Sequence, residues 1–343
     1  KTKLRDRKGV YLTAEPLARE GKVAFMFPGE GSQHIGMLRE LMLHFPVMRG
    51  WFDLVDGAFK DHPRNLLPSQ VFFPPPTEAS EGQSIWRMDI GPEAIFAANQ
   101  AVAALYDQIG LSADMLVGHS TGEYSALYAA GVTRRADPAQ LQSEMRALND
   151  AYEVMSGDGV ITWGTLIAIG AVDGDKLNEH LSTRDDVYLA MDNCPNQKVI
   201  AAYSPEARDW VLKIAGELGG FAEALPFERA YHSPAFQGFT DRLNTFLQDM
   251  EIAAPEAPVY SCLSTGTFAD APDAIRKLTA DQWAGRVRFT ETIRKMHADG
   301  ARIFVECGPR NNLASFVDDI LRRDAHLSLS VDTAGRTGLD QFN

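Results

Sequence analysis

Cysteine is scarce in this chain, basic residues are outnumbered, and long apolar runs are missing. Three cysteines, Cys194, Cys262 and Cys307, stand far apart among 343 residues. An odd number without metal-ligand spacing suggests neither a disulfide framework nor a metal site, and buried thiols in a reducing cytosol are the default expectation. No apolar stretch approaches the ~20 residues that a membrane helix needs. The first residues, Lys1 to Arg7, lack the apolar centre of a signal peptide and read as a linker cut from a longer protein. Lys and Arg number 33 against 46 Asp and Glu, a formal net charge of −13. No basic run offsets that balance, so neither nucleic acid nor membrane is expected as a partner. Repeats and low-complexity tracts are absent too.

What remains is ordinary soluble composition, 45% apolar and 23% charged, with material for a sizeable core in one large domain or two smaller ones. Strand signals fall at residues 23–27, 115–118, 166–169, 198–202, 259–262 and 302–306. Helical patterns lie between them, as at 93–105, 122–130 and 139–155. That alternation predicts a mainly parallel sheet covered on both faces. The proline-rich stretch 64–81, with Pro74, Pro75 and Pro76, predicts a surface loop.

One pentapeptide carries chemistry. Gly118-His119-Ser120-Thr121-Gly122 follows the apolar Met115-Leu116-Val117 and precedes a helical pattern. Strand, sharp turn and helix are the setting of a nucleophile elbow, in which the serine hydroxyl is lifted off the end of the sheet. The Thr121 amide, at the helix start, would then face a developing oxyanion. A glycine-rich turn with an exposed serine is the plain alternative. A serine needs a base. His232, in a loop before Ser233-Pro234, is the best of eight histidines, although such a residue taken alone is more often a surface or hydrogen-bonding group.

Further motifs accompany the pentapeptide. Pro28-Gly29-Glu30-Gly31-Ser32-Gln33 ends the first strand, Gly118 to Tyr124 reads G-H-S-T-G-E-Y, Ala230-Tyr231-His232-Ser233-Pro234 surrounds the histidine, and Glu306-Cys307-Gly308-Pro309 comes late. Together they resemble the malonyl-CoA:acyl-carrier-protein transacylase family, which includes the acyltransferase domains of polyketide synthases. Glu30 and the Tyr260-Ser261-Cys262 segment are similar to iterative type I synthases, the enediyne type among them.

The resemblance implies an α/β-hydrolase-like core at 22–156 and 229–320, a ferredoxin-like subdomain at 157–228, and linkers at 1–21 and 321–343. Within the subdomain the pattern reads strand 165–169, helix 176–181, strands 187–191 and 198–202, and helix 206–218. The resemblance also implies a ping-pong transfer from malonyl-CoA, through acyl-Ser120, to the phosphopantetheine thiol of an acyl carrier protein. Neighbouring synthase domains would be further partners, with no metal and no bound cofactor. It makes His232 the base, the Glu30 and Thr121 amides the oxyanion hole, and Arg146 the holder of the malonyl carboxylate, if one inserted residue is allowed. The backbone at Cys262 would orient His232. Tyr231 would fill the space an α-methyl needs, Asn193 belongs to an N-x-P-G-Q-like segment, and His119 would pack beside the elbow. Pro92 stands where the family has a pocket glutamine. Arg286, Arg288, Arg294 and Lys295 would offer a basic patch to an acidic carrier, an ordinary solvated face being the preferred reading. A serine thioesterase or hydrolase, and a silent docking module, remain as alternatives.

Overall fold

The sheet that carries the elbow is built from strands apolar on both faces. The computed structural model describes residues 3–5, 11–75, 85–135, 137–161, 163–226, 228–333 and 338–339. Two short strands, β1 (Lys3–Arg5) and β2 (Tyr11–Thr13), pair antiparallel. Next comes β3 (Lys22–Phe27), whose last four residues are buried. Such a strand belongs in the middle of a parallel sheet, where helices cover both faces. Parallel neighbours need long crossovers. Here the crossover holds α1 (Arg39–His44), α2 (Pro46–Phe59), α3 (Pro68–Phe72) and α4 (Gly91–Gln108). It leads to β4 (Met115–Gly118), then α5 (Gly122–Ala129) and the long α6 (Pro138–Gly157).

The chain now leaves the first sheet. It forms β5 (Thr165–Gly170), α7 (Gly174–Leu181), β6 (Val187–Cys194), β7 (Gln197–Ala202), α8 (Pro205–Glu217) and β8 (Phe221–Ala224). The four strands are antiparallel in the order β6-β7-β5-β8. That is a βαββαβ layout of ferredoxin type. Its own core includes Ile167, Ile169, Leu177, Leu189, Ile200 and Val211. The chain returns through α9 (Gln237–Leu247), β9 (Val259–Tyr260), α10 (Pro272–Asp281), α11 (Phe289–Ala298), β10 (Ala301–Glu306), α12 (Asn312–Ile320) and β11 (Leu327–Leu329). Among the described residues the main sheet is all parallel, in the order β11-β10-β3-β4-β9. The mixed α/β fold with a parallel sheet and a small antiparallel sheet is therefore as expected.

Four details differ from the sequence reading. The stretch 1–21 holds the β1–β2 pair, and 321–343 holds β11, paired to β10 through Ile303 and Leu327. Both are three-residue edge strands, too short for their composition to stand out. The 64–81 stretch contains α3, started by Pro68 and supported by Leu67 N–H donating to Gln70 Oε1 at 3.1 Å. Residues 76–81 lie outside the described residues. β9 stops at Tyr260, which frees Ser261 and Cys262 for other contacts. No described helix is long and apolar enough to cross a membrane.

Candidate active site

Register places the site. Phe27 pairs with Gly118 at the carboxyl ends of β3 and β4. The loop that starts at Pro28 and the turn that starts at His119 therefore emerge side by side. The turn packs so tightly that a Cβ on Gly122 would lie 2.0 Å from Phe27 O, and one on Gly118 would lie 2.2 Å from Glu123 N. Only glycine fits there. Between them Ser120 holds φ of 54°, a left-handed backbone rare for a residue with a Cβ.

Ser120 Oγ lies 2.6 Å from His232 Nε2, and both residues are buried. His232 also has a left-handed backbone, φ 57°. Its Nδ1 lies 2.8 Å from Gln282 O. A carbonyl only accepts, so Nδ1 carries the proton and Nε2 offers its lone pair to the serine hydroxyl. Burial pushes the imidazole down to about 4, against the smaller upward effect of the Gln282 bond. The ring is therefore neutral at pH 7 and free to accept a proton. Trp283 stacks on it at 6.2 Å and 7°, and Trp283 Nε1 donates to Tyr124 Oη at 3.0 Å. Trp283 O accepts the His232 backbone N–H at 2.8 Å.

The residue that orients the imidazole is Gln282, not Cys262. Because β9 ends early, Cys262 turns toward α5: its N–H donates to Glu123 Oε1 at 2.7 Å and its Sγ to Gly118 O at 3.2 Å. Burial raises that thiol well above its usual range. A backbone carbonyl leaves no side-chain signature, so nothing in the sequence marks position 282.

Glu30 and Thr121 face each other, with Glu30 N–H donating to Thr121 Oγ1 at 3.1 Å. Glu30 Oε1 is buried without a hydrogen-bond partner. Burial raises the carboxyl to about 7, with Arg229 pulling it partly back. His119 packs beside the elbow: Nε2 lies 2.7 Å from Asn193 Oδ1, and its ring meets Phe289 edge-on at 5.4 Å. Burial lowers His119 and keeps it neutral. Asn193 passes the contact on to Gln197 Oε1 at 2.8 Å, tying β6 to the elbow. Tyr231 packs edge-on against Trp283 at 5.3 Å and Phe236 at 5.1 Å.

Two cavities lie nearby in the fold, of which the first borders the elbow at Thr121 and Tyr124. One, of about 140 Å³, is apolar and lined by Phe96, Thr121, Met145, Tyr152 and Leu247 among others. The other is a cleft of about 970 Å³ beside the small sheet, bordered by Trp86, Tyr152, Trp163 and Arg229. Arg146 lines neither. Gln142 Nε2 donates to Leu54 O at 2.8 Å, and Asp150 Oδ1 lies 3.0 Å from His62 Nε2. Those contacts mark the α6 stripe that faces α2 and the turn after it. Arg146, four residues from each, shares that stripe. The cavity-facing position is Met145, one residue and about 100° away. Arg146 Nε is buried without a hydrogen-bond partner. The basic patch is largely neutralised: Arg288 pairs with Glu291, Lys295 pairs with Asp299, and Arg286 Nε donates to Leu189 O.

A model of the acyl transferase domain family matches residues 24–337. The chain belongs to that family. It is 30% identical over 319 residues to the malonyl CoA-acyl carrier protein transacylase of Bacillus subtilis, covering 90% of this chain and 93% of that protein. It is also 30% identical over 305 residues to a phenolphthiocerol synthesis type I polyketide synthase of Mycobacterium marinum, covering 88% of this chain but only 14% of that much longer protein. Among solved structures, the malonyl CoA-acyl carrier protein transacylase from Coxiella burnetii superposes with a TM-score of 0.77 at 26% identity, over 92% of this chain and 95% of that one. The acyltransferase domain from the second module of the salinomycin polyketide synthase gives 0.76 at 26% identity, over 94% and 71%.

Proposed function

We propose that this acyl transferase domain moves a malonyl group from CoA to the phosphopantetheine thiol of an acyl carrier protein, by a ping-pong route through Ser120. The 2.6 Å contact between Ser120 Oγ and a neutral, correctly tautomerised His232 carries the reading. Relatives that are malonyl CoA-acyl carrier protein transacylases support the choice of acyl group and acceptor. Multidomain synthase relatives support neighbouring synthase domains as further partners.

In the first half, Nε2 takes the hydroxyl proton as Oγ attacks the thioester carbon. The carbonyl π electrons move to oxygen, and the amides of Thr121 and Glu30 receive the oxyanion once Glu30 N–H leaves Thr121 Oγ1. The intermediate collapses by breaking the C–S bond. The imidazolium returns its proton to sulfur, and CoA departs as the free thiol. The Gln282 carbonyl steadies the imidazolium while it exists. In the second half the carrier thiol gives its proton to Nε2 and attacks the Ser120 ester. The C–Oγ bond breaks, and Oγ takes the proton back.

Incubation with malonyl-CoA, read by intact mass, tests this. The wild type gains a ~86 Da adduct, the mass of a malonyl group on a nucleophile. Ser120→Ala gains none, and added carrier protein discharges the adduct onto its own thiol. Release of free malonate instead would identify a hydrolase, and a wild type without adduct would identify a docking module.

A further inference from the structure

The lining of the cavity beside the elbow suits an uncharged chain. We propose that Ser120 also accepts apolar acyl groups of up to about six carbons from their CoA thioesters, the chain lying in the cavity under Met145 and Leu148. The inference rests on the acyl-Ser120 reading above and adds a second class of acyl group to it.

Position and size carry the first step. Thr121 borders the cavity and directly follows Ser120, so their Cα atoms stand about 3.8 Å apart. Tyr124 borders it about one helical turn further along α5. On α6 the lining residues Leu141, Met145, Leu148 and Tyr152 recur every three or four positions, which is one stripe of the helix. The volume is about 140 Å³. An apolar cavity of about 150 Å³ admits one benzene, which is six carbons. Such a space offers water too few hydrogen-bond partners, so a hydrocarbon chain gains contacts there that the walls otherwise lack.

Charge selects in the same direction. The charged residues on the border are Glu93, Glu144 and Arg276. Arg64 grips Glu93 with both terminal nitrogens, and Arg135 Nε donates to Glu144 Oε1 at 2.8 Å. The Arg276 guanidinium is occupied by Leu247 O at 2.9 Å, Met250 O at 2.8 Å and Asp273 Oδ1 at 2.9 Å. Asn149 Oδ1 and Thr279 Oγ1 are buried without a partner, but both are neutral, and the first can only accept. A carboxylate in this cavity would therefore sit near two other carboxyl groups without a free cation, at a heavy cost in desolvation. A methylene chain incurs none. The chemical step is otherwise the one already described. The Oγ–C bond forms, the C–S bond breaks, His232 passes the hydroxyl proton to sulfur, and CoA leaves as the free thiol.

Rates of acylation by acetyl-, butyryl-, hexanoyl-, dodecanoyl- and malonyl-CoA, read by intact mass with Ser120→Ala as the control, test the inference. In the wild type the rate should rise ~4-fold per added methylene from acetyl to hexanoyl, the worth of burying each one. It should then drop for dodecanoyl, which the cavity cannot contain. Leu148→Trp fills the cavity and should move the fastest chain below hexanoyl. Met145→Ala widens it and should move the fastest chain above hexanoyl. Opposite shifts of this kind do not arise from a folding defect. A wild-type rate that stays level or falls from acetyl to hexanoyl, one that keeps climbing to dodecanoyl, or an optimum that neither variant moves would each overturn the inference. Malonyl labelling without hexanoyl labelling also overturns it and leaves the malonyl reading intact. A wild type that gains no Ser120-dependent adduct from any of these thioesters refutes the acyl-enzyme reading itself, and the inference falls with it.

Discussion

Glu30→Gln isolates a buried carboxyl on the loop whose backbone meets the elbow at Thr121. The substitution keeps the side chain's size and removes its titration. In the wild type, burial raises the Glu30 carboxyl from 4.5 to about 7. Such a group is roughly nine-tenths neutral at pH 6 and roughly one-tenth neutral at pH 8. If the neutral form is the competent one, because an anion there opposes the oxyanion, acylation of Ser120 should fall ~10-fold from pH 6 to pH 8. Glu30→Gln should stay level across that range. The acid limb, set by His232 at about 4, should be the same in both proteins. Stability gives an independent reading of the same group. A carboxyl whose folded value is raised stabilises fully below its unfolded value of 4.5 and loses that contribution as pH climbs through about 7. The rise corresponds to roughly 3 kcal/mol. Urea midpoints of the two proteins should therefore diverge in favour of Glu30→Gln as pH rises from 4.5 to 8. Glu93, Glu123 and Glu306 are buried carboxyls raised to about 8, and their effect is common to both proteins and cancels in the difference. An alkaline fall that survives in Glu30→Gln, with a stability difference that ignores pH, would refute the reasoning.

Two further outcomes are expected. Gly122→Ala drives a methyl to 2.0 Å from Phe27 O, backbone that cannot give way, and should cost about 3 kcal/mol or prevent folding, as read by the urea midpoint or by loss of soluble protein. The thiols of Cys194, Cys262 and Cys307 are buried and raised, Cys194 to about 12 and the other two well above their usual range. Ellman's reagent should therefore find no fast-reacting thiol in the native protein and all three after denaturation. A thiol that reacts in the native state without loss of structure would contradict that burial.

The sheet and the elbow were legible because their signals are local. Phe25, Met26 and Phe27 form an apolar run that only a covered strand can bury, and the two glycines of the pentapeptide are required by contacts closer than any Cβ tolerates. What escaped was set by geometry that residue types do not encode. Arg146 and Met145 are adjacent in sequence and equally compatible with a helix; only the contacts of Gln142 and Asp150 reveal which of them turns toward the cavity. Strands β1, β2 and β11 depend on an edge to pair with, and three residues carry no period of their own.

The histidine clamp explains why its holder left no mark. Ser120 and His232 both sit at positive φ, 54° and 57°, and each such backbone costs about 1 kcal/mol or more unless its surroundings enforce it. For Ser120 the enforcement comes from Gly118 and Gly122. For His232 it comes from the turn after α10, which supplies two consecutive carbonyls. Gln282 O takes the ring proton, Trp283 O takes the backbone N–H, and the Trp283 indole covers the ring face. Two of these three contacts use atoms that every residue possesses. A carboxylate in the place of Gln282 O would bring a second charge into a pocket where burial already holds the imidazole down to about 4. A carbonyl fixes the same tautomer without that charge and without the cost of desolvating it. The dyad therefore works as a pair of strained residues held by backbone, and the chemistry is best sought in the turn's geometry, not in a third conspicuous side chain.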